Sequence, residues 1–489
     1  MGIDLAIRNA VIFDGTGAPS FTGDIAVEGD RIVGVGAIGA VPGSAREIDA
    51  SGQALSPGFV DVHTHDDTAL LVHPGLEFKL AQGCTSLVIG NCGFSAFPTG
   101  AALMLGGRGD WGDLDGFVAH VADNAVACNW VTLVGHNTVR AVVRGEEKGA
   151  PTDAELTTMR AQVRVAMEQG ACGLSTGLIY TPGRYSQTAE IIELAREVTP
   201  FGGLYATHMR NEGDRLLESV DEALTIAGAA GIALQISHHK AAGRANWGKV
   251  VESLAKVDAA IAAGQEVTLD VYPYVAGSGP MIQYFDLDRV DLELASNIRI
   301  ASCPAFRRYE GKMLVDIAAS VGLDLADAVR HVLTAPGGEQ TICIQFIIDE
   351  ADIETNLRHP QMMVGSDGIP DLKGVPHPRL FGTFPRILAR YVRERNVLNL
   401  SEAIRRMTSL SCDRFGLNGR GRIAVGAYAD LVLFDPDQVR DVATFDDPKQ
   451  EPKGISLVAV NGQIALENGR HTGVGAGRFV PYRAARARG

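Results

Sequence analysis

Eight short apolar runs, separated by helix-like segments, recur from residue 59 to residue 368. They read FVDVHTH, TSLVIGNCG, WVTLVGHN, ACGLSTGL, LYATHMR, LQISHHK, VTLDVYPY and MMVGSDG. Between them stand stretches such as DAELTTMRAQVRVAMEQG, DRLLESVDEALTIAGAAG and KVVESLAKVDAAIAAG. Short apolar runs alternating with helical patterns predict parallel strands joined by crossover helices. Eight such units predict an α/β fold, a (β/α)8 TIM barrel.

At 489 residues the chain exceeds what one compact core usually fills. Its two ends share another texture: LAIRNAVIFDG and DIAVEGDRIVGVG at the start, ADLVLFDP and ISLVAVNGQIALENGR near the finish. These alternating runs with turn residues predict a small β-domain built from both termini, 1–55 and 416–480, around a barrel at 56–415. The gap from Val275 to His359, between strands seven and eight, is too long for a simple βα connection and predicts an inserted lid subdomain at about 284–345. GVGAIG spells a dinucleotide fingerprint, but it follows a hairpin pattern and no helix follows it, so that reading is rejected. The closing RFVPYRAARARG, basic and Ala-rich at its end, reads as a frayed terminus, with an ordered docking arm as the alternative.

A net charge of −14 disfavours nucleic acid or an acidic membrane surface as partner. The first residues carry charges inside their apolar stretch and do not read as a secretory signal, and no run approaches the length of a membrane span. Seven scattered cysteines predict reduced thiols and a cytoplasmic protein. Six of them, Cys84, Cys128, Cys172, Cys303, Cys343 and Cys412, show no CxxC pairing and read as buried small residues.

The seventh cysteine differs because of where it falls. The first run ends in His63-Thr64-His65, the second in Cys92, the fifth in His208, the sixth in His238-His239 and the eighth in Asp367. In a barrel all strand C-termini meet at one face, where active sites form. Histidine, cysteine and aspartate together form a zinc ligand set, and the HxH spacing puts His63 and His65 on one side of a strand. His73, His120, His331, His359 and His471 lack strand-end placement and read as surface residues. His136 ends the third run and reads as a candidate for contact with a ligand residue or the substrate. Ser175 lies outside any GxSxG elbow and is no candidate nucleophile.

SPGFVDVHTHDD resembles the opening signature of the amidohydrolase superfamily. GNCGFSAFP, STGLIYTPGRYS, THMRNEGD, ISHHKAAGRANWGK, DVYPYVAGS, VGSDG, HPRLFGTFPR and GAYADLVLFDP resemble the N-acyl-D-amino-acid deacylase (D-aminoacylase) branch, with the weakest match in the insertion. The resemblance implies a zinc-dependent hydrolase that splits the amide bond of a small-molecule N-acyl-D-amino acid. It implies one tightly bound zinc held by Cys92, His208 and His238, the last preferred over His239. It also implies a second, weaker site at His63 and His65, with Cys92 bridging and Asp367 nearby. Many amidohydrolases bridge two metals with a carboxylated lysine on the fourth strand; ACGLSTGL has none, and a bridging thiolate would fill that place. Asp367 would take a proton from the attacking water and return it to the departing amine. Arg379 matches the branch's arginine for the substrate carboxylate, with Lys240, Tyr180 and Tyr272 as further substrate-binding candidates from matching motifs. Lys240 would share the face of His238, a hint toward an acidic substrate side chain, with apolar side chains equally open. Preference for D over L rests on the resemblance alone. Hydrolysis of a cyclic imide, dipeptide or lactam on the same scaffold stands as the alternative, and a barrel that binds without turnover as another.

Overall fold

The protein's structure, a computed structural model, describes residues 2–41, 43, 45–98 and 111–483. Eight parallel strands follow one another in sequence order: Phe59–Asp61, Cys84–Ile89, Asn129–Gly135, Gly173–Gly177, Leu204–His208, Ala233–Ile236, Val267–Val271 and Met362–Val364. Each corresponds to one of the eight apolar runs, and helices connect most of them. The runs carry few polar residues because a parallel sheet covered by helices is buried on both faces. Period-two alternation still sorts the two sides. Trp130 and Val134 pack outward in the large core with the helices, whereas Val131 and Leu133 pack inward with Val88, Leu204 and Ala206.

The first and eighth strands share no ladder. The barrel closes beyond their ends, through a lone bridge between Thr64 and Gly368. His65 N–H donates to the Gly368 carbonyl at 3.0 Å and Asp367 N–H to the His63 carbonyl at 2.7 Å. Beneath this bridge lies Lys79, fully buried on the short helix Glu77–Leu80. Its ammonium donates to Asp61 Oδ2 at 2.6 Å, Ser366 Oγ at 2.9 Å and Thr64 Oγ1 at 3.0 Å, and lies 3.2 Å from Asp66. Asp61 in turn accepts from the backbone N–H and the hydroxyl of Ser366. One cation thus ties the first strand end to the eighth.

A second sheet of nine strands joins both ends of the chain. Its N-terminal part runs from Leu5–Ile12 to Ala54–Pro57, and its C-terminal part begins at Leu431–Phe434. They meet antiparallel where Leu431 pairs with Pro57. Within it Arg31–Gly36 pairs antiparallel with Phe21–Glu28, so GVGAIG lies at a hairpin edge. Arg420, Asp430, Asn461 and Asn129 form a buried polar joint between this sheet and the barrel. A third sheet, of three antiparallel strands, falls between barrel strands seven and eight. Its strands are Gly277–Pro280, Ile298–Ser302 and Ile342–Gln345, so it starts earlier than the sequence pattern suggests, because glycine-rich GSGP carries no strand signature.

Two expectations need correction. The tail does not fray over its described part: Trp130 N–H donates to the Arg478 carbonyl, Val480 N–H to the Trp130 carbonyl, and the Phe479 ring lies 4.7 Å from that of Trp130. Aromatic burial outweighs the basic, Ala-rich look of the segment; residues 484–489 lie outside the described residues. His359 is buried, not a surface residue, with Nε2 3.0 Å from Asp258 Oδ1.

Replacing Lys79 with Met would leave Asp61 and Asp66 buried without their cation. The expected cost is about 3–5 kcal/mol, read as a lowered urea-unfolding midpoint; an unchanged midpoint would show that the seam holds without the ion pair.

Candidate metal centre

The GNCG turn follows the second barrel strand and needs both of its glycines. Gly90 and Gly93 have positive φ, and a Cβ on either would sit 2.2 Å from Leu133 O or Asn137 Oδ1 respectively. Ser175 seats the turn, donating to the Gly90 carbonyl and accepting from Gly93 N–H. That hydroxyl positions Cys92 and is no nucleophile.

Cys92 Sγ lies 3.3 Å from His63 Nε2, 3.5 Å from His238 Nε2 and 3.7 Å from His208 Nδ1. The donors fall into two sets that share the thiol: Cys92, His208 and His238; and His63, His65, Cys92 and Asp367. Within each set the ligand atoms lie within 4.8 Å of one another. All are buried except the half-buried His65. Imidazole nitrogen, thiolate and carboxylate converging at this range make a donor set suited to zinc.

The backbone is strained where these donors stand. Eight non-glycine residues among those described have positive φ, and four are asparagines, which tolerate it. Three of the other four are Cys92 at 54°, His238 at 35° and Asp367 at 49°. Such conformations cost on the order of 1–3 kcal/mol each and gather at functional sites.

Carboxylates behind the histidines orient them, as is usual for metal-binding imidazoles. Glu212 Oε1 lies 2.9 Å from His238 Nδ1, and Oε2 3.5 Å from His208 Nε2. Asp270 accepts from His238 N–H at 2.8 Å and stands 3.4 Å from His63 Nδ1. These two acids, together with Lys79 and Asp61, escape the sequence reading. Glu212 falls four residues after His208 in THMRNEGD, and Asp270 opens DVYPY. Neither run shows on its own which ring its acid faces.

Charge follows this layout. Burial pushes the Cys92 thiol up, but His63 and His238 outweigh it and hold it well below its ordinary value. Burial also raises Asp367, yet the Arg379 guanidinium and His65 hold its carboxyl well below the usual range. Both shifts favour the charged forms, a thiolate and a carboxylate.

His239 points away from the cluster, with its ring nitrogens 2.7 Å from Asn356 Oδ1 and Ser253 Oγ. His136 lies outside both donor sets: its Nε2 is 2.9 Å from Glu190 Oε1, within a buried pair with Arg140. The third strand runs directly into the helix His136–Arg144, which turns the ring toward Glu190. Arg379 is fully buried, its Nη1 2.9 Å from Asp367 Oδ2 and its guanidinium 4.5 Å over the Tyr272 ring. Tyr272 Oη and Arg379 Nε are buried without hydrogen-bond partners. Lys240 donates to Glu212 at 2.6 Å and to the His238 carbonyl at 2.8 Å. Its ammonium is thus committed to Glu212 and does not line the cavity where a substrate side chain would lie. The Tyr180 ring packs 4.6 Å from that of His208 and lines the cavity in front of the donors.

The amidohydrolase family model matches residues 46–326 and 250–466. N-acyl-D-glutamate deacylase of Alcaligenes xylosoxydans xylosoxydans is 40% identical over 94% of this chain and 93% of its own length. D-aminoacylase of the same organism is 39% identical over 99% and 98%. Among solved structures, N-acyl-D-glutamate deacylase from Bordetella bronchiseptica, complexed with zinc and a phosphonate inhibitor that mimics the tetrahedral intermediate, superposes with a TM-score of 0.91 at 38% identity, covering 98% of this chain and 100% of that one. The chain belongs to the amidohydrolase family.

Proposed function

We propose that this protein is a zinc-dependent hydrolase that cleaves the amide bond of N-acyl-D-amino acids, releasing a carboxylate and a free D-amino acid. The observation that carries this reading is a shared-thiol donor set, of which His65, Cys92 and Asp367 line one cavity, with the Arg379 guanidinium directly behind Asp367. The names of the relatives supply the D-amino-acid part of it. Cys92, His208 and His238 would hold one zinc tightly. His63, His65 and Asp367, with Cys92 bridging, would hold a second more weakly. Residues 1–55 and 416–480 would act as a β-domain supporting a barrel at 56–415, with the insertion as a lid. Seven free cysteines fit a reducing cytoplasm, and no helix among the described residues is long and apolar enough to cross a membrane.

Bound zinc supplies a Lewis acid that polarises the acyl carbonyl and brings the pKa of a water toward about 7. The chain's own residues do the rest. Arg379, with Tyr272 Oη and Lys240 beside it, takes the substrate's α-carboxylate; a planar guanidinium suits two parallel bonds to it. Tyr180 closes the cavity on the His208 side. Asp367 removes a proton from the attacking water and delivers it to the amide nitrogen. The C–N bond can then break with a neutral amine leaving. Its position between His65 Nε2 at 3.1 Å and Arg379 Nη1 at 2.9 Å keeps the carboxylate aimed for both transfers.

Replacing Asp367 with Asn should lower kcat on N-acetyl-D-methionine by about 10²–10⁴-fold with the fold intact; near-parental turnover would remove Asp367 from the acid–base role. Cys92→Ala should lose zinc, counted by metal analysis after dialysis, whereas full retention would make the thiol a mere filler. Glu212→Gln should weaken zinc about 10–100-fold in chelator competition, and an unchanged affinity would separate Glu212 from the metal site.

A further inference from the structure

The relatives differ in the amino acid that their names carry. At 40%, 39% and 40% identity, N-acyl-D-glutamate deacylase, D-aminoacylase and N-acyl-D-aspartate deacylase of one organism are equally distant from this chain. Identity therefore does not say which side chain this protein takes. The cavity wall does, given the deacylase reading above.

Fixing the substrate's two polar ends orients the remainder. The α-carboxylate lies at Arg379 and the amide at the donor cluster, so the Cα substituent faces the wall beside the anchor. Ser278 marks that wall, because its carbonyl accepts from Arg379 Nη2 at 3.1 Å and the residue also lines the cavity. Next to it stand Pro280 and Ile342, paired across the insertion sheet, with Ile369 opposite on the loop after the eighth strand. Phe94 and Tyr180 line the other side, against Cys92 and His208, where the acyl group would lie.

We propose that Pro280, Ile342 and Ile369 form the side-chain subsite, and that this protein takes N-acyl-D-amino acids with apolar side chains and discriminates against D-glutamate and D-aspartate. Burying a second carboxylate requires a paired cation. Among the described residues lining this cavity, the charged groups besides the histidine His65 are the carboxylates of Asp67 and Asp367. Arg379, bonded to Asp367 and to the Ser278 carbonyl, is taken up by the α-carboxylate in this reading, and the Lys240 ammonium is paired with Glu212. A smaller extension of the cavity shares Ser278, Ile342 and Ile369 and runs on toward Ala301, Asp371 and His377. It offers a further carboxylate and a neutral ring, since His377 Nδ1 accepts from Arg379 N–H while Nε2 faces the Ala276 carbonyl at 2.9 Å. An acidic side chain would meet like charge and hydrocarbon there, and an apolar one would displace water from three apolar residues.

The test is kcat/KM of the zinc-loaded full-length protein on N-acetyl-D-methionine, -D-leucine, -D-glutamate and -D-aspartate. The expected result is at least 100-fold preference for the apolar pair; equal rates, or faster cleavage of the acidic pair, would overturn the proposal. Absence of turnover on all four, with zinc bound, would instead overturn the deacylase reading. Ile342→Arg and Ile369→Arg then place a cation on the wall. Each folded variant should move the D-methionine to D-glutamate ratio at least tenfold toward glutamate. An unchanged ratio in both would show that the side chain lies elsewhere.

Discussion

A single buried ammonium holds the barrel shut. The first and eighth strands form no ladder, so their register depends on the Thr64–Gly368 bridge and on Lys79 beneath it, which binds Asp61, Thr64 and Ser366 at once. His63, His65 and Asp367 are carried by the same few residues that make this closure. Any slip along the seam would therefore move two histidines relative to the carboxylate they face. Catalytic geometry has to be kept within a fraction of an ångström, and here that tolerance rests on an ion cluster sealed from water, where one charged partner is costly to lose.

Each donor is held from behind as well. Glu212 stands behind His208 and His238, Asp270 behind His63, and Ser175 under the turn that presents Cys92. With Cys92, His238 and Asp367 in left-handed backbone, main-chain strain and side-chain hydrogen bonds both fix where these donor atoms point.

Much of this was legible in the chain. A parallel sheet covered on both faces leaves nearly uninterrupted apolar runs, so all eight barrel strands could be read. Strand ends in a barrel converge by topology, so residues from His63 to Asp367 could be gathered into one group. What stayed hidden depends on direction in three dimensions. Lys79, Asp61 and Glu212 look like ordinary charged residues until packing removes their water. His136 met the same strand-end criterion as His208, yet its strand passes straight into a helix and swings the ring toward Glu190. The GSGP strand has the composition of a turn and becomes a strand only because Ile342–Gln345 lies beside it. The basic, Ala-rich end of the tail favours fraying over the docked arm that its aromatics also allow, and Phe479 and Tyr482 dock against the barrel.

The way the nine-stranded sheet is threaded bears on how the molecule is made. Leu55 and its neighbours gain their antiparallel partner only when Leu433 has been synthesised. At about 5–20 residues per second, the early strands wait on the order of 20–75 s with that edge unpaired. During that interval the nascent N-terminal hairpins expose an apolar, hydrogen-bonding rim on the ribosome. The length of the barrel between the two halves sets how long that rim stays open.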